Sequence, residues 1–368
     1  MANEKKIRVG ITQGDTNGIG LEVALKVIAV PEFMEICTPI IYGSGKVLTY
    51  HRKAINMPSF QINHADDADH VKAGVPNIIE VLGGEEIKVE LGTASKIAGQ
   101  AAYQALEAAV ADLKQGRIDV LVTAPINKDN IQSDEFNFPG QTEYLEASAG
   151  EQSKALMILC SENLRVALVT THLPLAKLPQ AITTEGIRER LREFNASLQR
   201  DFGLERPRIA VLSLNPHAGE NGLLGSEEKD IIRPAIDQAY DEDRIICFGP
   251  YAADGFFGNR QYRNFDGVLA MYHDQGLAPF KALAMDTGVN FTAGLPFVRT
   301  SPDHGTGYDI AGKGVAREES MRQAIYTAID IWRNRQKHDE ANANPLRKQY
   351  HDKGKDNVVL DLTKETDE

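Results

Sequence analysis

Ile209-Ala210-Val211-Leu212-Ser213-Leu214-Asn215-Pro216-His217 decides the fold class. It opens on four consecutive apolar residues, so both of its faces must be covered, as in a buried parallel strand; a strand with one wet face would alternate. Arg165-Val166-Ala167-Leu168-Val169-Thr170-Thr171-His172 and Gly267-Val268-Leu269-Ala270-Met271-Tyr272-His273-Asp274 have the same form. Working outward, similar runs at 7–12, 39–42, 119–123, 155–159, 245–248 and 289–292 alternate with turns and amphipathic or alanine-rich stretches. That alternation predicts an α/β fold with a largely parallel central sheet.

Helices are predicted over 93–115, with Thr93 as cap and Gly116 as stop, and over 185–200, 227–240 and 317–335. Residues 336–368 are polar and read as a partly ordered tail without chemistry. Across the 368 residues, 40 Lys and Arg face 52 Asp and Glu, a net charge of −12. This excludes a broad nucleic-acid or anionic-membrane surface, so any anionic ligand must be held locally. Cys37, Cys160 and Cys247 are far apart and show no CxxC spacing, which argues against a disulfide framework or a thiolate zinc site. No apolar run approaches the roughly 18 residues of a membrane span, and a cytoplasmic location is expected.

The glycine-rich segments are informative by failing. After the first strand, Gln13-Gly14-Asp15-Thr16-Asn17-Gly18-Ile19-Gly20 supplies GxG, but Val23 stands where the dinucleotide fingerprint GxGxxG needs its last glycine. Gly307-Tyr308-Asp309-Ile310-Ala311-Gly312-Lys313-Gly314 fails as a phosphate loop at its last place, which requires Ser or Thr. Two readings of Gly18 and Gly20 remain open: amides that bind an anion at a helix start, or a tight turn that lets helix and strand pack closely.

Three separate apolar runs lead into histidine: His172, His217 and His273. In a parallel sheet the carboxyl ends share one edge, so three distant residues can converge there. Three neutral imidazoles with an open position form the ligand set of a catalytic divalent metal, zinc in particular, and Asp254 and Asp274 are candidates to complete or orient it. The alternative is three polar rings exposed at strand ends for no common purpose. Lys281, Asn290 and Arg299 follow in a Gly- and Pro-rich stretch and suit a phosphate or carboxylate, with Arg299 able to read a flat carboxylate by two parallel bonds.

Seven segments in order then carry a resemblance: Thr123-Ala124-Pro125-Ile126-Asn127-Lys128, Pro139 to Tyr144, Thr171-His172, Leu214 to Glu220, Gly249 to Asp254, Tyr272 to Gly276 and Thr300 to Thr306. Together they closely resemble the 4-hydroxythreonine-4-phosphate dehydrogenase family of vitamin B6 biosynthesis. The resemblance implies a homodimer that uses NAD or NADP and one divalent metal ion, zinc, magnesium or cobalt. It also implies an isopropylmalate-dehydrogenase-like architecture, with a cleft between a first domain (1–140 and 300–335) and a second (141–299) that carries the metal site and dimer contacts.

Carried over residue by residue, the metal ligands are His172, His217 and His273, the last reaching the site from the partner subunit. The substrate contacts are Thr142, Lys281, Asn290 and Arg299. Gln141 stands where the family usually has histidine; it donates a hydrogen bond but cannot be protonated. The loop from Asp303 to Gly314 is similar to the adenine-side NAD loop of isopropylmalate dehydrogenases, which makes His304, Gly305, Thr306 and Asp309 cofactor candidates. The implied reaction is oxidation of 4-phosphohydroxy-L-threonine at C3, followed by decarboxylation to 3-amino-2-oxopropyl phosphate, with Asp254 and Asp274 as candidate proton acceptors. Competing readings are the same chemistry on a threonate or erythronate phosphate, and a metal-dependent phosphate-ester hydrolase.

Overall fold

The structure, a computed structural model, describes residues 6–82 and 88–344. Among these residues, twelve strands form one sheet: β1 (Ile7–Thr12), β2 (Cys37–Gly43), β3 (Asn63–Ala65), β4 (Asn77–Glu80), β5 (Val120–Thr123), β6 (Leu156–Ser161), β7 (Leu164–Leu168), β8 (Arg208–Leu212), β9 (Ile246–Tyr251), β10 (Gly267–Ala270), β11 (Val289–Ala293) and β12 (Arg299–Pro302). Their order is β3-β4-β2-β1-β5-β12-β11-β6-β7-β10-β8-β9. Eight neighbouring pairs are parallel, and the three antiparallel ones, β12 with β11, β11 with β6 and β6 with β7, fall together in the middle. Three successive reversals leave β7, β10, β8 and β9 running opposite to β1, β5 and β12. The carboxyl ends of the two halves therefore lie on opposite edges of one sheet.

All nine predicted strand segments are present, and the differences have physical causes. β12 was not expected, because Arg299-Thr300-Ser301-Pro302 is polar; it is nonetheless a central strand with all four residues buried. β3 is a three-residue edge strand and β4, beside it, has only four residues, two of them apolar, too short for the pattern to show. The long helix begins at Lys96 rather than near Thr93: Ser95 caps it by accepting from the Ala98 amide at 3.3 Å, while the Thr93 carbonyl accepts from Asn17. Its buried face is rich in alanine, and a glycine brings it against the chain after β5: a Cβ on Gly99 would collide with the Asn130 carbonyl. The segment predicted as one helix over 227–240 is a π turn, Glu228–Ile232, running into the helix Arg233–Asp241, whose first turn holds Pro234.

The last helix, Glu319–Asn342, runs beyond residue 335, which corrects the expected start of the tail. Its polar continuation is held to the helix Thr184–Arg200: Arg335 binds the buried Asp201 at 2.6 Å, and Arg200 binds Asp339 at 2.9 Å. The remaining tail residues, 345–368, lie outside the described residues. All three cysteines are free and buried, and burial pushes each thiol up to about 12, as inert side chains should be. Among the described residues, no helix is long and apolar enough to cross a membrane.

One residue at the centre gives a stability test. Gly294 follows β11 with φ of 79°, and a Cβ there would collide with the Lys154 carbonyl oxygen. Gly294→Ala is expected to lose about 2–3 kcal/mol, seen as a lower urea midpoint at unchanged slope. A variant as stable as the parent would contradict this packing.

Candidate functional site

The site is built around the strand that the sequence concealed. Arg299 opens β12 opposite Thr292 of β11, one step beyond the paired Phe291 and Thr300. Its Nε and Nη2 donate to Thr123 Oγ1 at 3.0 and 2.6 Å, Nη1 donates to Thr292 Oγ1 at 3.0 Å, and Nη2 also donates to Gln141 Oε1 at 3.3 Å. Gln141 is the first residue of the helix Gln141–Ala149, and its Nε2 donates to the Ala124 carbonyl at 3.1 Å, which turns Oε1 toward the arginine. Thr142 follows, half-buried.

This arrangement has two consequences. Arg299 is only 3% exposed, and the described oxygens that bind it are all neutral, so burial pushes its pKa down to about 10 despite the Glu143 charge nearby. A buried cation without a bonded counter-ion is set to attract an anion. Four of its five N–H groups are spent within the protein, so the expected two-bond grip on a flat carboxylate is not available here. Arg299 contributes charge and at most one further hydrogen bond.

The same face of the sheet continues toward the end of β12. Asn290 lies two residues from Thr292 and pairs across with Leu159, which packs in the core beneath the helix His273–Ala284. Lys281, in the last turn of that helix, binds Asp303 Oδ1 at 3.1 Å. From Arg299 to Asp303 the strip is about 13 Å long. Among the described residues, three buried atoms along it have no partner: Asn290 Oδ1, Asp303 Oδ2 and His304 Nε2. Buried polar atoms are normally bonded, so a cluster of orphans marks where a ligand belongs. Burial pushes the Asp303 carboxyl above the usual range, opposed by Lys281, His304 and His273; burial also lowers the pKa of the His304 ring.

β7, β10 and β8 are adjacent and parallel, so the three histidines do share a sheet edge. The rings of His172 and His273 come together, with centroids 6.0 Å apart. His273 opens its helix rather than ending a strand, and its Nδ1 lies 2.7 Å from Asp274 Oδ1. His217 is exposed in a left-handed turn, where residues His217 to Asn221 all have positive φ. The turn is anchored through Asn215, whose backbone and side chain both donate to Glu228. Asp254 is exposed on a short helix and accepts from the Gly255 amide. The imidazoles suit a divalent ion chemically. Among the described residues, however, no three His, Cys, Asp or Glu side chains stand close enough to hold one. One chain thus brings two of the three histidines together.

A family model described as "Pyridoxal phosphate biosynthetic protein PdxA" matches residues 35–328. The chain belongs to the PdxA family. It is 58% identical over 361 residues to a 4-hydroxythreonine-4-phosphate dehydrogenase of Bacteroides thetaiotaomicron, covering 98% of both chains. A relative of the same name from Sulfurihydrogenibium is 41% identical, covering 89% of this chain and 99% of its own. The crystal structure of the Klebsiella pneumoniae 4-hydroxythreonine-4-phosphate dehydrogenase superposes with a TM-score of 0.77 at 33% identity, covering 90% of this chain and 99% of that one.

In this PdxA chain the glycine turn resolves in favour of close packing. The Ile19 amide donates to the Thr306 carbonyl at 2.9 Å, and a Cβ on Gly18 would lie 2.7 Å from that same oxygen. The loop after β12 is thereby fixed to the turn after β1. Tyr308 donates to the buried Asp15 at 2.8 Å, and Asn130 donates to the same carboxylate oxygen at 2.8 Å. Of the cofactor candidates on this PdxA loop, His304 and Thr306 are half-buried, while Gly305 and Asp309 are exposed. Sequence reasoning gave no role to Thr123, Thr292 or Asp303. The threonines' signal is three-dimensional: Thr123 meets a guanidinium 176 residues away.

Proposed function

We propose that this chain is a 4-hydroxythreonine-4-phosphate dehydrogenase that oxidises 4-phosphohydroxy-L-threonine at C3 with NAD or NADP. The resulting β-keto acid loses carbon dioxide to give 3-amino-2-oxopropyl phosphate. The observation that carries the reading is the strip from Arg299 to Asp303, with a cation at each end and orphaned polar atoms between. It matches a small substrate with anionic ends, and the names of the relatives supply the class.

Gln141, Thr142 and Arg299 hold one anionic end, with Lys281 and Asn290 at the other. Gln141 keeps Arg299 oriented, and because it carries no titratable proton its contribution does not change with pH. His304, Gly305, Thr306 and Asp309 form the cofactor side of the cleft between domain 1–140 with 300–335 and domain 141–299. A zinc, magnesium or cobalt ion, when bound, supplies Lewis acidity at the substrate hydroxyl. His172, His217 and His273 would hold it, with part of the set supplied by a second copy in a cytoplasmic homodimer. What supports a shared site is that one chain brings together His172 and His273 but, among the described residues, no complete set, which favours His217 rather than His273 as the residue from the second copy. Asp274 orients the His273 ring.

The test is an assay with 4-phosphohydroxy-L-threonine, a divalent ion and NAD or NADP. Reduced nicotinamide should form while the phosphate ester stays intact. Inorganic phosphate released without cofactor reduction would favour the hydrolase.

A further inference from the structure

We propose that Asp303 is the group that takes the proton from the C3 hydroxyl as the substrate is oxidised. This rests on the dehydrogenase reading above. In the step, the hydroxyl O–H bond breaks and its proton goes to Asp303 Oδ2. The C3–H bonding pair leaves as hydride to the nicotinamide, which is reduced, and the C3–O bond becomes a carbonyl.

The geometry separates Asp303 from the two other carboxylates considered. Asp254 and Asp274 are exposed and engaged, one with the Gly255 amide and the other with His273. Asp303 has one oxygen on Lys281 and the other buried without a partner, alongside the orphaned Asn290 Oδ1 and His304 Nε2. Its backbone is fixed, because the amide donates both to the Gly288 carbonyl at 3.2 Å and to Ser320 Oγ at 3.1 Å. A carboxylate held rigidly at the end of the strip, with one oxygen on Lys281 and the other unpartnered among the described residues, has the form a proton acceptor needs.

The titratable groups around it are Lys281 and His273 on one helix, His304 beside it and Cys160 on β6. Of these, Lys281 is the cation in contact and favours the charged carboxylate. Proton acceptance requires the charged form, so turnover must fall as pH drops through the Asp303 pKa. Removing Lys281 raises that pKa and moves the acid limb of the kcat profile to higher pH.

The experiment uses the full chain with metal, cofactor and 4-phosphohydroxy-L-threonine. Asp303→Asn should lower kcat by at least about 10²-fold. Its affinity for the substrate, measured by calorimetry without cofactor, should stay within about threefold, and its melting curve should remain cooperative. Lys281→Met keeps the proposal testable if that variant misfolds: its acid limb should move upward. Asp303→Asn with parental kcat, or Lys281→Met with an unmoved acid limb, overturns the proposal. Wild-type protein that reduces no cofactor strikes the dehydrogenase reading itself, whereas an active wild type with an equally active Asp303→Asn strikes only the role of Asp303.

Discussion

Replacing Arg299 with methionine is expected to lower kcat/KM by about 10²- to 10³-fold while changing folding stability by less than about 1.5 kcal/mol. The two halves of this expectation have one cause. The guanidinium is buried among Thr123, Thr292 and Gln141, whose oxygens accept its hydrogen bonds but cannot neutralise its charge. Folding gains little from such a cation, whereas an anion at the strip gains a partner that water screens poorly. Removing the charge therefore costs binding and spares the fold. If Arg299 were a structural keystone instead, the methionine variant would melt far lower, and weaker substrate binding would merely follow from unfolding. Steady-state kinetics beside a urea titration separates the two. Lysine at the same position restores charge without the planar fork, so it should recover only part of the loss.

His217→Ala should abolish turnover and reduce bound metal by at least about 10²-fold in affinity, since loss of partners one shell further out already costs 10- to 100-fold. The fold should survive. His217 is exposed, and its turn is held by Asn215 and Glu228 rather than by the ring. Metal analysis of the purified variant, with circular dichroism as control, checks both statements. Normal metal stoichiometry would remove His217 from the ligand set. Because one chain brings only His172 and His273 together, metal content should also depend on assembly, falling when the protein is diluted to monomers.

Much of this was legible in the residues, for identifiable reasons. Continuous apolar runs betrayed the buried parallel strands, since a strand covered on both faces leaves no place for alternation. The common edge for His172, His217 and His273 followed from the same reading, because β7, β8 and β10 are parallel neighbours. What the sequence hid was polar structure inside the protein. β12 carries its hydrogen-bonding side chains inward, so a strand at the centre of the sheet looked like a loop. Asp303 reads in the sequence only as part of a motif, because nothing local tells that Lys281 takes one of its oxygens and leaves the other unpartnered among the described residues. Likewise the glycines before the first helix leave an anion cradle and a tight packing turn both open in the sequence, and the Thr306 carbonyl on the Ile19 amide decides for the turn.

The central claim concerns which phosphorylated hydroxy acid fits the strip. It is tested most directly by measuring cofactor reduction with 4-phosphohydroxy-L-threonine beside threonate and erythronate 4-phosphates under identical metal and pH. The account predicts a kcat/KM for the amino substrate at least about tenfold above the others, equivalent to roughly 1.4 kcal/mol of discrimination. A higher kcat/KM for either non-amino substrate would contradict it.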